Sequence, residues 1–291
     1  MKFAVSSYSF GQYTGSGRLT TFGCIEKAKE MGFDAIEFVE FNGPNGETPL
    51  EYAGKLRAEA DRVGIEISNF AVGADFLNGS DGDLEAEVNR VKGLVDIAAA
   101  LGCPTMRHDV TGGPANRTYQ GYDNCVGRLA DGCRAVTEYA AQKGVKTMTE
   151  NHGFFSQDSL RVEKLINTVA HDNFGQLVDL GNFLCVDDDP VTAVGRCAPY
   201  AFYVHAKDFI VKSGQEANPG AGFFQSRGGN FLRGTIVGHG DVPVVQCLRA
   251  LKGAGYDGYV SIEFEGMEDC IQGISIGLAN LKRYVAEVYG C

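Results

Sequence analysis

Two acidic side chains stand two positions apart in the stretch SIEFEG, at residues 261–266 near the end of the chain. Because side chains alternate along a strand, Glu263 and Glu265 share one of its faces. Three earlier stretches that resemble strands also carry groups that bind metals or move protons: Glu150 in TENHG, Asp179 in VDLGN and His205 in VHAKD. Such carboxylates and imidazoles ligate divalent cations and act as general acids or bases. The chain therefore offers a candidate metal centre whose ligands lie far apart in sequence.

The spacing of these candidate ligands matches a repeating fold. The intervals between them are 29, 26 and 58 residues. Each of the first two has the length of one strand–helix unit, and the third has the length of one unit plus a long loop. Taken singly, each acid is equally well explained as a loop cap or a salt-bridge partner. Together at one end of a barrel, three carboxylates and an imidazole would resist burial unless a cation lay between them. The oxygen-rich set predicts one divalent ion, Mn²⁺ ahead of Mg²⁺, Co²⁺ or Zn²⁺.

Strand and helix patterns alternate along the whole chain. Short apolar or β-branched runs predict strands at 2–8, 34–40, 65–72, 103–109, 145–151, 175–182, 201–209 and 258–265. Amphipathic patterns, several of which end in glycine, predict helices at 24–33, 50–64, 84–102, 122–143, 157–170, after Pro190, near 243 and at 270–290. The alternation predicts an α/β fold, a single (β/α)8 TIM barrel domain over residues 1–291. A doubly wound sheet is the weaker alternative, because no GxGxxG follows the first strand.

The connection at about 209–241, between the seventh strand and the helix after it, is much longer than the others. Loops of this length inside a compact domain are usually functional or disordered. The connection is rich in glycine but also contains large apolar residues, which disfavours a simple flexible linker: Phe223, Phe224, Phe231, Leu232 and Ile236. A lid over the barrel mouth and an arm toward a neighbouring subunit both remain open.

Composition narrows the classes of partner. The chain of 291 residues has a formal net charge of −11 and no basic stripe, so a nucleic-acid partner is disfavoured. No signal peptide or transmembrane segment is evident, which predicts a cytoplasmic protein without a membrane partner. The nine cysteines show no CxxC spacing and are expected to be buried, reduced thiols. A small-molecule carbohydrate substrate is compatible with these features, and a homo-oligomer is left open.

The motifs TENHG, VDLGN, HAKDF and GYDGYVSIEFEGMED carry a resemblance to the xylose-isomerase-like barrel superfamily, the sugar phosphate isomerase/epimerase family. The resemblance runs over essentially the whole chain. It implies that one divalent metal ion is bound by four residues: Glu150, Asp179, His205 and Glu263. In ketose 3-epimerases of this group the two glutamates also form the acid/base pair, and Arg233 matches a substrate-binding arginine. The implied activity is a keto-sugar isomerase or epimerase that transfers protons through a metal-stabilised enediolate.

Two positions depart from the ketose 3-epimerases of this group. Asn182 stands where they carry a histidine after the metal-binding aspartate, and Ser156 stands where they carry a substrate-contacting glutamate. His152 instead resembles the Glu-x-His arrangement of inosose and dehydroshikimate dehydratases, and of subunits that cleave C-glycosides of 3-oxo sugars. A second base beside a stabilised enolate suits elimination as well as epimerisation. A metal-dependent lyase, with His152 as a catalytic residue, is therefore the alternative function.

Other polar residues near the predicted strand ends are weaker candidates for substrate binding: Lys207, His108, Asn182 and Glu37. Each also has an ordinary structural explanation, such as a solvated lysine or a satisfied histidine. An abasic-site endonuclease of the same superfamily is disfavoured by the negative net charge of the chain. The single histidine at the metal site also disfavours it, because a multinuclear zinc cluster would need several. A non-catalytic sugar-binding barrel is disfavoured because the acid/base pair is present.

Overall fold

The computed structural model describes residues 1–115 and 121–290. The strands of these ranges are β1 (Lys2–Ser6), β2 (Ala35–Val39), β3 (Glu66–Val72), β4 (Thr105–His108), β5 (Lys146–Glu150), β6 (Phe174–Asp179), β7 (Ala201–Ala206), β8 (Asp208–Lys212), β9 (Phe224–Gln225), β10 (Phe231–Thr235) and β11 (Tyr259–Ile262). Eight of these described strands close a parallel barrel in the order β1-β11-β7-β6-β5-β4-β3-β2. The predicted (β/α)8 barrel is confirmed.

Helices surround the barrel. Those of the described ranges are α1 (Gly11–Gly15), α2 (Thr21–Glu30), α3 (Pro49–Val63), α4 (Leu84–Leu101), α5 (Tyr122–Gln142), α6 (Ser159–Val169), α7 (Pro190–Cys197), α8 (Val244–Gly253) and α9 (Cys270–Tyr289). A capping box of Thr48 and Glu51 begins α3. Left-handed glycines end α3 and α4, Gly64 at φ 75° and Gly102 at φ 70°. These glycines return the chain to the next strand, as their positions in the sequence predict.

The barrel interior is layered, with an apolar layer beneath a polar one. Its apolar cluster is formed by Ala4, Ala35, Met148, Leu177 and Tyr203. Two residues further along four of these strands come the polar side chains Glu37, Glu150, Asp179 and His205, all of them buried. Because side chains alternate with a period of two, each polar side chain lies one layer closer to the C-terminal mouth than its apolar neighbour. The apolar layer thus forms a closed floor beneath the polar one.

The long connection after β7 is structured rather than a loose loop. Strands β8, β9 and β10 form a separate antiparallel sheet in the order β8-β10-β9. Phe209 and Leu232 pack with Cys185 beneath it, and the ring of Phe224 meets that of Phe209 edge-on at 5.7 Å. The predicted strand 201–209 is corrected, because the chain leaves the barrel after Ala206 and Lys207 separates β7 from β8.

Other predicted strands end earlier than expected. β5 ends at Glu150 and β11 at Ile262, so His152 and Glu263 belong to the loops that follow. The shared face expected for the two glutamates of SIEFEG is therefore not a strand face, although both side chains reach the same cleft. The eight cysteines in the described ranges are free and buried. Among the helices of those ranges, none combines the length and apolar character that crossing a bilayer requires.

Candidate metal centre and cleft

Four ligand-type side chains meet at the C-terminal end of the barrel, and we refer to them as the metal quartet. They come from β5, β6, β7 and the loop after β11: Glu150, Asp179, His205 and Glu263. Each offers one ligand atom, and these atoms all lie within 4.8 Å of one another. The side chain of Glu263 is 13% exposed, whereas the other three are buried. The four residues that the sequence spacing selects are thus neighbours in space.

Asp179 is held with one carboxylate oxygen directed at the other members of the quartet. Its Oδ1 accepts hydrogen bonds from the backbone N–H of Gly181 at 2.7 Å and of Asn182 at 2.9 Å. The Asn151 side chain also binds the backbone of Asp179, accepting from its N–H and donating to its carbonyl, both at 2.9 Å. Oδ2 has no hydrogen-bond partner, although it is buried. The loop after β6 thereby orients this oxygen as a ligand.

His205 presents its two ring nitrogens to different sides. Nδ1 faces the quartet, 3.3 Å from Oε2 of Glu263 and 3.8 Å from Oδ2 of Asp179. Nε2 lies 2.7 Å from Oε1 of Glu37, which is fully buried in the barrel. Metal-binding histidines commonly place a carboxylate behind the nitrogen that does not ligate. Glu37 is therefore placed to orient the imidazole so that Nδ1 would bind the ion.

The donor set fits a divalent cation. Oδ2 of Asp179 and Nδ1 of His205 are buried without a well-aligned hydrogen bond, and the polar neighbours at 3.3 Å are Nζ of Lys207 for the oxygen and Oε2 of Glu263 for the nitrogen. Burial is the main reason that the pKa of Asp179 rises to about 6; Lys207 opposes the rise, and Glu150 and Glu263 add to it. Crowded carboxylates of this kind are relieved by a bound cation. Three carboxylates and one imidazole suit Mn²⁺, Mg²⁺, Co²⁺ or Zn²⁺.

Glu150 has a buried cationic partner in Arg107. Nε and Nη2 of Arg107 both lie 2.6 Å from Oε2 of Glu150, and Oε1 accepts a hydrogen bond of 3.1 Å from Asn182. Burial alone would raise the pKa of Glu150, but the charges of Arg107 and His205 outweigh it and bring this pKa to about 2. Glu150 is therefore held as a carboxylate whose outer oxygen is already occupied.

Lys207 lies inside the site rather than in solvent. Its Nζ is 2.6 Å from Oε2 of Glu263, 3.2 Å from Oε1 of Glu265 and 3.3 Å from Oδ2 of Asp179. Burial works against its charge, but these carboxylates prevail and raise the pKa of Lys207 well above its ordinary value. Lys207 in turn, with His205, keeps the pKa of Glu263 well below its usual range despite burial. The ammonium group is thus a fixed positive charge beside the quartet.

Three members of the quartet, Glu150, His205 and Glu263, line a space of about 290 Å³ that we call the cleft. Tyr8, Glu40 and His152 also line it. The side chain of His152 is 48% exposed, and its Nδ1 lies 2.9 Å from Oδ1 of Asp109. Burial lowers the pKa of His152, but the bond to Asp109 outweighs it and raises that pKa above its ordinary value. A histidine–carboxylate pair thus faces the space above the quartet.

The other predicted site residues divide into two groups. Glu37, Asn182 and Lys207 contact the quartet directly, as the distances above describe. Arg233 instead lies on β10, where Nη2 is 3.8 Å from Oε1 of Glu268, and it does not line the cleft. The predicted position of His108 is corrected: it is fully buried outside the cleft, and its ring contacts those of Phe76 and Phe174. Substrate binding by Arg233 and His108 stays a prediction, because neither residue lines the cleft.

Two residues of the site were not anticipated from the sequence. Arg107 binds Glu150 and also Oδ1 of Asp109, at 3.0 Å, while Asp109 binds His152. Both belong to the same MRHD stretch from which His108 was chosen. Because alternate residues of a strand face opposite sides, an inward His108 and an inward Arg107 are mutually exclusive. The sequence could have indicated Arg107 in two ways. Only one of these two neighbours can face the barrel interior, and a site with several buried carboxylates needs a buried cation.

The chain belongs to the xylose isomerase-like TIM barrel family, whose profile matches residues 25–284. The match includes every member of the metal quartet. The proteins similar to this chain include a dehydratase and an epimerase, and fold alone does not define a reaction.

Curated relatives match part of the chain. Inosose dehydratase of Lacticaseibacillus casei is 25% identical over 141 residues, which cover 47% of this chain and 46% of the relative. Inosose dehydratase of Clostridium perfringens is 26% identical over 140 residues, with the same coverage of 47% and 46%. The chain therefore spans about half the length of the curated relatives that it matches.

Solved structures match nearly the whole chain. A xylose isomerase domain protein from Planctomyces limnophilus has a TM-score of 0.73 at 21% identity, covering 100% of this chain and 98% of that one. The IolI protein with a bound zinc atom has a TM-score of 0.73 at 17% identity and covers 99% of both chains. The 3-keto-D-glucoside 4-epimerase YcjR from E. coli has a TM-score of 0.70 at 16% identity, covering 97% and 99%. At these identities the likeness establishes the fold.

Proposed function

We propose that this protein is a divalent-metal-dependent enzyme that removes a proton from the carbon beside the ketone of a keto sugar or cyclic keto-polyol. The observation that carries the proposal is the quartet, which brings ligand atoms of three carboxylates and one imidazole within 4.8 Å of one another beside the cleft. We propose Mn²⁺ for this oxygen-rich set. When bound, the ion supplies Lewis-acid polarisation of a ketone oxygen and stabilises the negative charge that develops there.

The later course of the reaction depends on which side chains exchange protons with the substrate. In an isomerase or epimerase, Glu150 and Glu263 would act from two sides of the site. However, both oxygens of Glu150 are engaged within the protein, Oε2 by Arg107 at 2.6 Å and Oε1 by Asn182 at 3.1 Å. The contacts of Glu263 with His205 and Lys207 both fall on Oε2, and its side chain is 13% exposed, compared with 3% for Glu150. Glu150 is therefore better suited to holding the ion than to moving protons.

His152 and Asp109 offer a more suitable proton donor. The imidazole is partly exposed in the cleft and is oriented by the Asp109 carboxylate. Its raised pKa favours the protonated form, which can donate a proton to a leaving oxygen. In the elimination that we propose, Glu263 accepts the proton from carbon and a carbon–carbon double bond forms. The neighbouring C–O bond breaks, and His152 protonates the hydroxyl so that it departs as water.

Dehydration of a keto-polyol is therefore the reaction that we propose first, which would make the protein a lyase. The similarity to inosose dehydratases over about half the chain supports this choice. Isomerisation or epimerisation of a keto sugar is the second candidate. It is favoured by the positions of Glu150 on β5 and Glu263 after β11, which flank the site because β6 and β7 lie between those strands.

The reaction is tested by incubating the protein in D₂O with an inosose and with a panel of ketoses, with Mn²⁺ or with EDTA. We expect the inosose to lose one water in a Mn²⁺-dependent reaction, which is monitored by proton NMR and mass spectrometry. Deuterium uptake beside the ketone without loss of water would instead support the second candidate. If the protein binds Mn²⁺ but neither exchange nor water loss occurs with any substrate, the proposed function is overturned.

The His152→Gln variant tests the assignment of the proton donor. We expect its dehydration rate to fall by about 100-fold or more, the usual range for losing a general acid. Metal content should be unchanged, because His152 is not a member of the quartet. His239→Gln is the matched control, since His239 is an exposed residue that does not line the cleft. Equal rates in the His152→Gln and His239→Gln variants would exclude His152 as the donor.

A further inference from the structure

A second cavity lies beside the cleft and shares two lining residues with it. Tyr8 and Glu265 line both spaces. The second cavity has a volume of about 400 Å³, compared with about 290 Å³ for the cleft. It lies between the chain segment that leaves β1 and the small antiparallel sheet, bordered by Gln12 on one side and Phe224 on the other. A ligand in the cleft that reached past Tyr8 or Glu265 would therefore enter this space.

Three of the ten residues that line the second cavity are aromatic. Tyr8 is 50% exposed and Phe224 is 38% exposed, while Phe264 is buried against the cavity. Glycine backbone completes the surface at positions 11, 222, 234 and 266. Half-exposed large aromatic residues that converge on one space are uncommon on a surface without a binding role. Such walls suit a flat apolar ring, which gains affinity by burying area against other rings.

The polar groups around the second cavity are mostly used within the protein. Nε2 of Gln12 donates to the carbonyls of Gly266 and Glu268, and its Oε1 accepts from the N–H of Cys270. Glu265 is charged, but its Oε1 is directed at Nζ of Lys207, 3.2 Å away, at the end shared with the cleft. Few free hydrogen-bonding side chains remain to pair with the hydroxyls of a second sugar, and unpaired hydroxyls are costly to bury.

We propose that the second cavity is a subsite for an apolar ring attached to the substrate, so that the natural substrate is an aryl-bearing conjugate rather than a free monosaccharide. This inference rests on the proposed function, which puts the keto ring of the substrate over the metal quartet. The carbohydrate part would occupy the polar cleft, and the ring would lie between Tyr8 and Phe224. Glu265 and Lys207 stand at the junction between the two parts.

The subsite is tested by calorimetric binding of phenyl β-D-glucoside and methyl β-D-glucoside to the Mn²⁺-loaded protein. Neither probe carries a ketone, so neither can undergo the proposed reaction. We expect the phenyl glucoside to bind about tenfold more tightly, because burying a ring contributes at least the equivalent of that factor. Gly11→Leu and Phe224→Ala should abolish this preference while leaving the methyl glucoside unaffected.

Gly11→Leu has a matched control in Gly15→Leu. Both glycines belong to α1, both are exposed, and a Cβ atom at either position meets nothing within 4 Å. Of the two, Gly11 lines the second cavity and Gly15 does not. Gly15→Leu should therefore retain the preference for the phenyl glucoside. Equal dissociation constants for the two glucosides in the parent protein, or no binding of either, would overturn the subsite.

The failure of the subsite can be distinguished from the failure of the proposed function. An inosose has no aryl substituent, so Gly11→Leu should dehydrate it at the parent rate if the two spaces are separate subsites. If Gly11→Leu loses that activity while remaining folded and Mn²⁺-loaded, the second cavity is part of the reaction site and the inference is wrong. If no variant or parent acts on any ketone, the proposed function fails, while the phenyl-to-methyl ratio still reports on the cavity.

Discussion

Asp179→Asn is expected to abolish metal binding and leave the fold intact. The backbone N–H groups of Gly181 and Asn182 bind Oδ1, so the amide oxygen of the new side chain will take that place. Its NH₂ group will then replace Oδ2, facing the other ligands and Nζ of Lys207. An NH₂ group has no lone pair to offer a cation. We expect the affinity for the divalent ion to fall by more than about 100-fold. Losses of up to about 100-fold are typical of residues that only orient the metal ligands, and the loss of a ligand should exceed them.

The measurement is the metal content per chain after desalting, together with the dissociation constant from competition with a chelator. Asp131→Asn is the control, because Asp131 makes an exposed ion pair of 3.0 Å with Arg134 away from the cleft. That variant should bind one ion with the parent affinity and retain the parent activity. Tight stoichiometric binding by Asp179→Asn would contradict the assignment of the quartet.

Thermal unfolding gives an independent readout of the same variant. A ligand that binds only the native state raises its stability in proportion to the logarithm of ligand concentration over the dissociation constant. EDTA should therefore lower the melting temperature of the parent and of Asp131→Asn, but not that of Asp179→Asn. A variant that had merely unfolded would show no cooperative transition, which separates loss of the site from loss of the fold.

The barrel and the quartet were accessible from sequence because both depend on regular spacing. Strand–helix units of similar length bring their C-terminal strand ends to one mouth, so that Glu150, Asp179 and His205 recur at intervals of about one unit. The period of two along each strand then directs these side chains inward, one layer above the apolar residues of the barrel. No knowledge of loop conformation is needed for this inference.

The surroundings of the quartet were not accessible in the same way. β4 has four residues, and TMRH contains polar side chains at both odd and even positions, so its hydrophobic pattern does not reveal the inward face. Lys207 was predicted as a substrate-binding residue, but its burial among the carboxylates was not, because the break between β7 and β8 that buries it depends on the antiparallel sheet of the long connection. Pairing between strands distant in sequence leaves no periodic signal, which is why this burial was not predicted.

Arg107→Met is expected to destabilise the metal-free protein strongly. Arg107 is the buried partner of two carboxylates, Glu150 at 2.6 Å and Asp109 at 3.0 Å. Removing one member of a buried ion pair leaves an uncompensated charge and costs roughly 3–5 kcal/mol in the free energy of unfolding. The measurement is urea unfolding in EDTA. Arg249→Met is the control, because Arg249 pairs with Glu287 in solvent and such pairs contribute about 0–1 kcal/mol.

The double variant Arg107→Met/Glu150→Gln separates charge from packing. If the cost of Arg107→Met arises from the buried Glu150 carboxylate, neutralising that carboxylate should recover a large part of the lost stability. The interaction free energy then follows from a double-mutant cycle with the Glu150→Gln single variant. A double variant whose losses are simply additive would show that Arg107 acts through packing, and that the short contacts to Glu150 contribute little.

The pH dependence of the same variants follows from the pKa of Glu150. In the metal-free parent this pKa is about 2, below its ordinary value of 4.5, so the carboxylate stabilises the native state above pH 4.5 and loses that effect as the pH falls toward 2. Without Arg107, the pKa of Glu150 rises from that low value, because His205 alone of the two cations then opposes burial, and the Glu150 carboxylate of native Arg107→Met takes up its proton at a higher pH than in the parent. The free-energy difference between parent and variant should therefore shrink from about pH 7 to about pH 4. A difference that stays constant over this range would place the effect of Arg107 somewhere other than its ion pair with Glu150.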